Sequence, residues 1–180
     1  CPLQDAPRVE AYLSYDPLVY NSNYNSATLK KSMANEKDAK THTTDDGFMI
    51  KGVTVPSIRH KVNTTFSVLS DKRGNVCLYP NRIVINIYYA AGVFISSDVK
   101  DLDCSYKITM AHENQHVRYA IQTLNEYLPR IQLEMMYYLR SRGYQGSGPM
   151  PQSEVNKAYE HIVREMVSAA EPIVDRMMQV

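Results

Sequence analysis

Residues 105–142 read SYKITMAHENQHVRYAIQTLNEYLPRIQLEMMYYLRSR and have the clearest helical periodicity in the chain. Their apolar side chains recur at intervals of three or four residues, which is the spacing of one face of an α-helix. The stripe consists of Ile108, Val117, Ile121, Leu124, Leu128, Ile131, Met135 and Leu139. Pro129 falls inside the pattern and predicts a kink, so the segment is one long helix or two stacked helices.

A second helical stripe follows a loop rich in Gly, Pro and Ser at residues 143–151. It opens at Ser153 and Glu154, which together make a helix-start signal, and its apolar positions continue to Met177. Two consecutive helices joined by a loop of this kind predict a helical hairpin over residues 105–180.

The segment before the helices is rich in β-branched and aromatic residues, which are typical of strands. These residues form four runs, at 48–55, 58–69, 76–79 and 82–95, and Pro56 and Pro80 stand at two of the breaks. The runs indicate a meander of three or four antiparallel strands within residues 48–100. Residues 1–47 are expected to form an irregular arm with one short helix.

The order of these parts predicts an α+β fold, in which a small antiparallel sheet is followed by a long C-terminal helical hairpin. A length of 180 residues and a 44% content of hydrophobic residues suit a single domain over residues 1–180.

Charge argues against nucleic acid as a partner, and hydropathy argues against a transmembrane segment. The chain has 20 Lys and Arg against 19 Asp and Glu, so it lacks the excess of cations that neutralises nucleic-acid phosphates. The longest apolar run, at 83–95, is interrupted by Asn86, Gly92 and a Tyr pair, so we expect no transmembrane segment. The oligomeric state is not fixed by the sequence.

Three cysteines bear on localisation and on crosslinking. The numbering begins at Cys1, which suggests a processed chain that is secreted or resides in the periplasm or cell envelope, with Cys1 as a candidate lipoprotein anchor. Cys77 and Cys104 flank the strand region at 82–95, and we predict a disulfide between them, with Cys1 as an alternative partner.

The chemistry of the chain is concentrated in His112-Glu113-Asn114-Gln115-His116, an H-E-x-x-H pattern within the strongest helix. Helical residues four apart differ by only about 40° in azimuth and about 6 Å in rise, so His112 and His116 project from one face and can bind one metal ion. Glu113, about 100° round from His112, is placed to contact water at that ion. This arrangement predicts peptide hydrolysis by a zinc-activated water with Glu113 as general base.

The motif resembles that of the zincin metallopeptidases, in which it lies on an active-site helix beneath a small sheet. The resemblance implies that His112 and His116 are zinc ligands and that Glu113 is the general base and acid. It also implies a substrate-binding edge strand, for which residues 82–89 are the counterpart. The layout of residues 48–180 is similar to that of small predicted secreted bacterial zinc-dependent proteases, although only the five motif positions match residue by residue.

The third zinc ligand must lie outside the motif. The metzincin subgroup continues its motif with Gly and His where this chain has Tyr119 and Gln122, so that subgroup is excluded. In a hairpin of roughly equal arms the end of the second helix returns to the level of His116, which favours Glu171, with Asp175 second. Glu134 has nearly the gluzincin spacing, but it qualifies only if the chain reverses at Pro129.

The sequence therefore predicts a zinc metallopeptidase that acts on a peptide or protein substrate whose identity stays open. The alternative is a non-catalytic cell-envelope or partner-binding protein with a zincin-like fold, in which the motif is empty or holds a structural metal. A three-ligand site with an open fourth position distinguishes the first from the second.

Overall fold

A computed structural model gives the fold of the chain and describes residues 1–2, 4–34, 49–142 and 146–178. The elements in chain order are β1 (Arg8–Tyr15), β2 (Val19–Asn21), α1 (Ser26–Ala34), β3 (Gly52–Ser70), β4 (Val76–Ile95), α2 (Asp103–Ser141), β5 (Ser147–Met150) and α3 (Val155–Met178). No helix among these described residues is long and apolar enough to cross a membrane.

The five strands form one sheet in which β4 is central, since each of the other four strands pairs with it. β2 runs parallel to β4, with Val19 opposite Gly92, whereas β5 runs antiparallel to it, with Val76 opposite Met150. The predicted small antiparallel sheet is therefore wrong. β3 and β4 are long, with 19 and 20 residues, because each continues through the proline that was expected to end it.

The predicted C-terminal helical hairpin is also wrong. The chain ends in a single 24-residue helix, α3, and strand β5 lies between it and the 39-residue α2. The Gly/Pro-rich stretch at residues 143–151 predicted a loop without regular structure, but it contains strand β5. Gly148 has φ +120°, and a Cβ there would lie 2.5 Å from the carbonyl oxygen of Val76, so glycine permits the close approach of this segment to β4.

Two compact units make up the chain, and β3, β4 and α2 each contribute to both. Unit 1 contains Cys1–Ser14, Ile58–Tyr88 and Leu124–Val180, and unit 2 contains Tyr15–Ser57 and Tyr89–Thr123. The single domain expected from chain length stays a prediction.

The core of unit 1 combines one face of β4 with apolar faces of α2 and α3. Alternate residues of β4 are fully buried, as strand geometry requires of a strand with one face in the core. The buried side chains include Ile83, Ile85, Ile87, Ile131, Met135, Leu139, Met166 and Val174.

The core of unit 2 continues the same alternation along the second half of β4, through Tyr89, Ala91, Val93 and Ile95. Val117 of α2 and Leu29 of α1 are also buried. The backbone N–H of Ser26, at the start of α1, donates to the Asp98 carboxylate at 2.8 Å, so an anion satisfies the helix N-terminus.

A disulfide joins Cys1 to Cys77, and Cys104 is an exposed free thiol. The predicted Cys77–Cys104 bond is therefore wrong. The prediction rested on the positions of the two cysteines along the chain, and such positions do not determine connectivity.

Glu10 is a buried carboxylate that is held by cations and a phenol within unit 1. The Arg82 guanidinium and the Tyr12 hydroxyl each donate to its Oε2 at 2.5 Å, and Arg8 pairs with Oε1 at 2.7 Å. The hydrogen bond from Arg82, followed by that from Tyr12, lowers the pKa of Glu10 from 4.5 to about 2.

We expect this carboxylate to make stability depend on pH in acid. Because its pKa is lowered in the folded protein, its contribution is present above about pH 4.5 and is lost as the pH falls towards 2. Thermal melts between pH 2 and 6 should show a Tm difference between the parent and Glu10→Gln that shrinks over this interval. Asp5→Asn, which removes an exposed carboxylate from the same N-terminal segment, is the control. A Tm difference that is constant with pH would contradict the assignment.

Candidate metal centre

The H-E-x-x-H motif lies in a regular part of α2. The helix begins at Asp103, whose carboxylate pairs with Lys107 at 2.8 Å one turn later. Acidic residues in a first helical turn are favoured by the helix dipole. The helix is thus established before the motif, and the two histidines fall one turn apart on one side of it.

The imidazoles of His112 and His116 converge. Both side chains are exposed, their Nε2 atoms are 3.0 Å apart, and the rings meet edge to face with centroids 4.5 Å apart. Two nitrogens that bind the same tetrahedral Zn²⁺ at ordinary bond lengths are about 3.3 Å apart. The pair is therefore close to the geometry of a metal chelate, and it fits two of the positions around a zinc ion.

Glu113, unlike the two histidines, is buried. It is 5% exposed, and the hydroxyl of Thr54 in β3 donates to its Oε2 at 2.8 Å. Glu113 lies close to the two histidines along the chain because all three belong to one stretch of α2. Its contact with β3 could not be predicted from the sequence pattern.

Gly52 leaves room for this buried carboxylate. A Cβ at that position would lie 2.8 Å from Oε1 of Glu113 and 2.7 Å from Cγ2 of Thr109. Only a residue without a side chain allows β3 to approach α2 this closely.

Asn114 attaches the motif to β2 on another side of the helix. Its Oδ1 accepts a hydrogen bond of 2.7 Å from the hydroxyl of Tyr20. Gln115, in contrast, donates to Tyr119 on its own helix at 2.6 Å. Strand β2 therefore contacts Asn114 and strand β3 contacts Glu113, while the two histidines stay exposed.

The strand beside the motif is not the one that the family resemblance implied. Residues 82–89 belong to β4, which is central in the sheet and has neighbours on both sides. They therefore offer no free edge to a substrate. β3 contacts the motif instead, through Gly52 and Thr54.

No converging group of side chains supplies a third ligand in the part of the chain that the structure describes. Over the described ranges, 1–2, 4–34, 49–142 and 146–178, no three His, Cys, Asp or Glu residues gather in a way that could hold a metal ion. Glu171 is exposed on α3, and Asp175 is half-buried on the same helix. The ligand role of Glu171 stays a prediction.

Glu134 is engaged elsewhere. α2 continues through Pro129 without ending, so the chain reversal that would bring Glu134 to the motif does not occur. Its carboxylate accepts hydrogen bonds from Arg130, at 2.9 Å, and from Arg176 of α3. These arginines lower its pKa, with Arg176 the larger cause. Glu134 is therefore an ion-pair residue of unit 1.

Tyr89 of β4 is a buried phenol in unit 2. Its side chain is 1% exposed, and burial raises its pKa. Its hydroxyl finds no hydrogen-bond partner among the described residues. Tyr89 therefore belongs to the packed core of unit 2.

A groove of about 1100 Å³ lies between the second half of α2 and α3, within unit 1. Tyr137, Arg142, Arg164, Ala169 and Ile173 are among its lining residues, and no residue of the H-E-x-x-H motif is. His161 is the one histidine among the described residues that line the groove, so the groove has no counterpart of the His112–His116 pair.

The sequence and the fold were compared with protein-family models, with curated proteins and with solved structures, and no match was found.

Proposed function

We propose that the chain is a zinc-dependent metallopeptidase in which His112 and His116 hold the metal and Glu113 acts as general base. The 3.0 Å separation of the two Nε2 atoms carries this proposal. This contact is an N–H···N hydrogen bond between the two rings, and it brings both nitrogens to one side of α2, close to the spacing that one tetrahedral zinc ion requires.

The exposed histidines and the buried Glu113 have different roles in this proposal. A zinc ion held by His112 and His116 would lower the pKa of water bound to it towards about 7 and would polarise a carbonyl group. Glu113 takes the proton of the attacking water and passes it to the leaving amine. His112 and His116 would hold the ion through unprotonated ring nitrogens, because only these bind a metal.

Two histidines leave the remaining zinc positions to other donors. We keep Glu171, the third ligand that the sequence predicts, in this proposal. Metal titration of Glu171→Ala tests its role. Glu171→Ala should weaken zinc binding by orders of magnitude, because it removes a ligand. Glu134→Ala is the control, since it removes a carboxylate that is held by two arginines, and it should keep the parent affinity for zinc.

Elemental analysis of the purified full chain, followed by incubation with a peptide library, tests the function. One zinc per chain and cleavage that stops with a chelator and returns with added zinc are the expected results. Absence of both zinc and cleavage would overturn the proposal. Export to the envelope or the exterior belongs to the same proposal, and the Cys1–Cys77 bond supports it because disulfides persist in oxidising compartments.

The alternative is a non-catalytic partner-binding protein, and the groove between α2 and α3 favours it. Its volume of about 1100 Å³ is at the upper end of ordinary ligand sites. Stoichiometric zinc without any cleavage of the library would favour this second function, with the metal in a structural role.

A further inference from the structure

The carboxylate of Glu113 is fixed by contacts from a strand far away in sequence. The Thr54 hydroxyl lies 2.8 Å from its Oε2 and 3.2 Å from the carbonyl oxygen of the same residue, although Thr54 and Glu113 are 59 residues apart. Both acceptors belong to Glu113, so the single hydroxyl proton of Thr54 stays with Glu113 in either orientation.

Gly52 lies against the other side of the carboxylate and leaves room for it. A Cβ there would meet Oε1 at 2.8 Å and Cγ of Glu113 at 2.9 Å, closer than side-chain atoms pack. Thr109 cannot yield, because its hydroxyl donates to the carbonyl of Ser105 at 2.9 Å and its methyl group therefore faces Gly52. The carboxylate thus has Oε2 bonded to Thr54, and Oε1 lies next to the backbone of Gly52.

We propose that Thr54 and Gly52 are positioning residues that hold the Glu113 carboxylate in one orientation in the turn of α2 that carries His112 and His116. The inference rests on the proposed function for its catalytic meaning. A hydrogen bond to one oxygen directs the lone pairs of the other, and a general base that is held in place needs no reorientation when the substrate arrives.

The first test compares variants of β3 in the zinc-loaded full chain. Thr54→Val removes the donor while conserving shape, and Thr54→Ser restores it. Thr64→Val is the matched control, because Thr64 lies on the same strand and its buried hydroxyl has no partner among the described residues. Zinc affinity, kcat and KM are measured for each variant on the peptide that the parent cleaves best.

We expect kcat of Thr54→Val to fall by about tenfold to a hundredfold, which is the cost of a slightly misplaced catalytic group. KM and zinc affinity should stay at the parent values, and Thr54→Ser should recover most of the rate. Gly52→Ala should lower kcat in the same way, since its methyl group displaces the carboxylate. An unchanged kcat in Thr54→Val, or a failure of Ser to rescue, would overturn the inference.

A second test does not depend on hydrolysis. Thermal melts of metal-free Thr54→Val, Glu113→Leu and the double variant form a cycle, and a direct contact makes the two Tm shifts non-additive by about 2–4 °C or more. If the parent cleaves peptide but the two Tm shifts are additive, the positioning inference is wrong and the proposed function stands. If the Tm shifts are non-additive but the parent cleaves no peptide, the Thr54–Glu113 contact is real and the proposed peptidase function is wrong.

Discussion

Glu113→Gln should lose peptide hydrolysis by about 10²- to 10⁴-fold, the usual contribution of a general base. The amide oxygen can still accept the hydrogen bond from Thr54, so the fold and the zinc content should not change. The amide cannot take up a proton at neutral pH, and the chemical step therefore fails. Initial rates on the parent's best peptide, zinc content and a thermal melt measure the three quantities.

Glu160→Gln is the control for this variant, because it makes the same substitution at an exposed residue of α3. It should hydrolyse peptide at the parent rate. Comparable rates for Glu113→Gln and the parent would remove Glu113 from the mechanism, whatever the zinc content.

His112→Ala and His116→Ala should each weaken zinc binding by more than about a hundredfold, beyond the usual cost of losing a residue that only supports a ligand. The converging nitrogens, 3.0 Å apart, form a chelate only as a pair. Either substitution leaves a single imidazole on an exposed helix face. Competition with a chromophoric chelator gives the affinity, and elemental analysis gives the stoichiometry.

His161→Ala is the matched control, since His161 lies on α3 and lines the groove of unit 1. It should keep the parent affinity for zinc. If His161→Ala loses zinc while the motif variants retain it, the metal belongs to the groove and the assignment of the centre is wrong.

The sequence predicted the parts of the fold that have a local period. The stripe on α2 places Val117, Leu124 and Ile131 in the core, and all three are buried. At Ile108 the same stripe fails, because the side chain is 65% exposed near the start of the helix. The convergence of His112 and His116 was predictable for the same reason, since it depends on helical spacing alone.

Features that depend on distant segments had no such signal. β2 and β5 have only three and four residues, too few for an alternating pattern. Each exists because it pairs with β4. Gly52 and Thr54 act on a carboxylate 59 or more residues away along the chain, and nothing in the sequence near β3 marks them as neighbours of the motif.

The Cys1–Cys77 bond has a kinetic consequence. Cys1 is exposed, whereas Cys77 is 6% exposed. An external thiol can reach only the outer sulfur, and Cys77 would then have to leave as a poorly solvated thiolate, which makes the exchange slow. Cys104, an exposed free thiol, faces no such barrier. An alkylating reagent should therefore modify Cys104 directly, whereas a mild thiol reductant should leave the N-terminal crosslink largely in place.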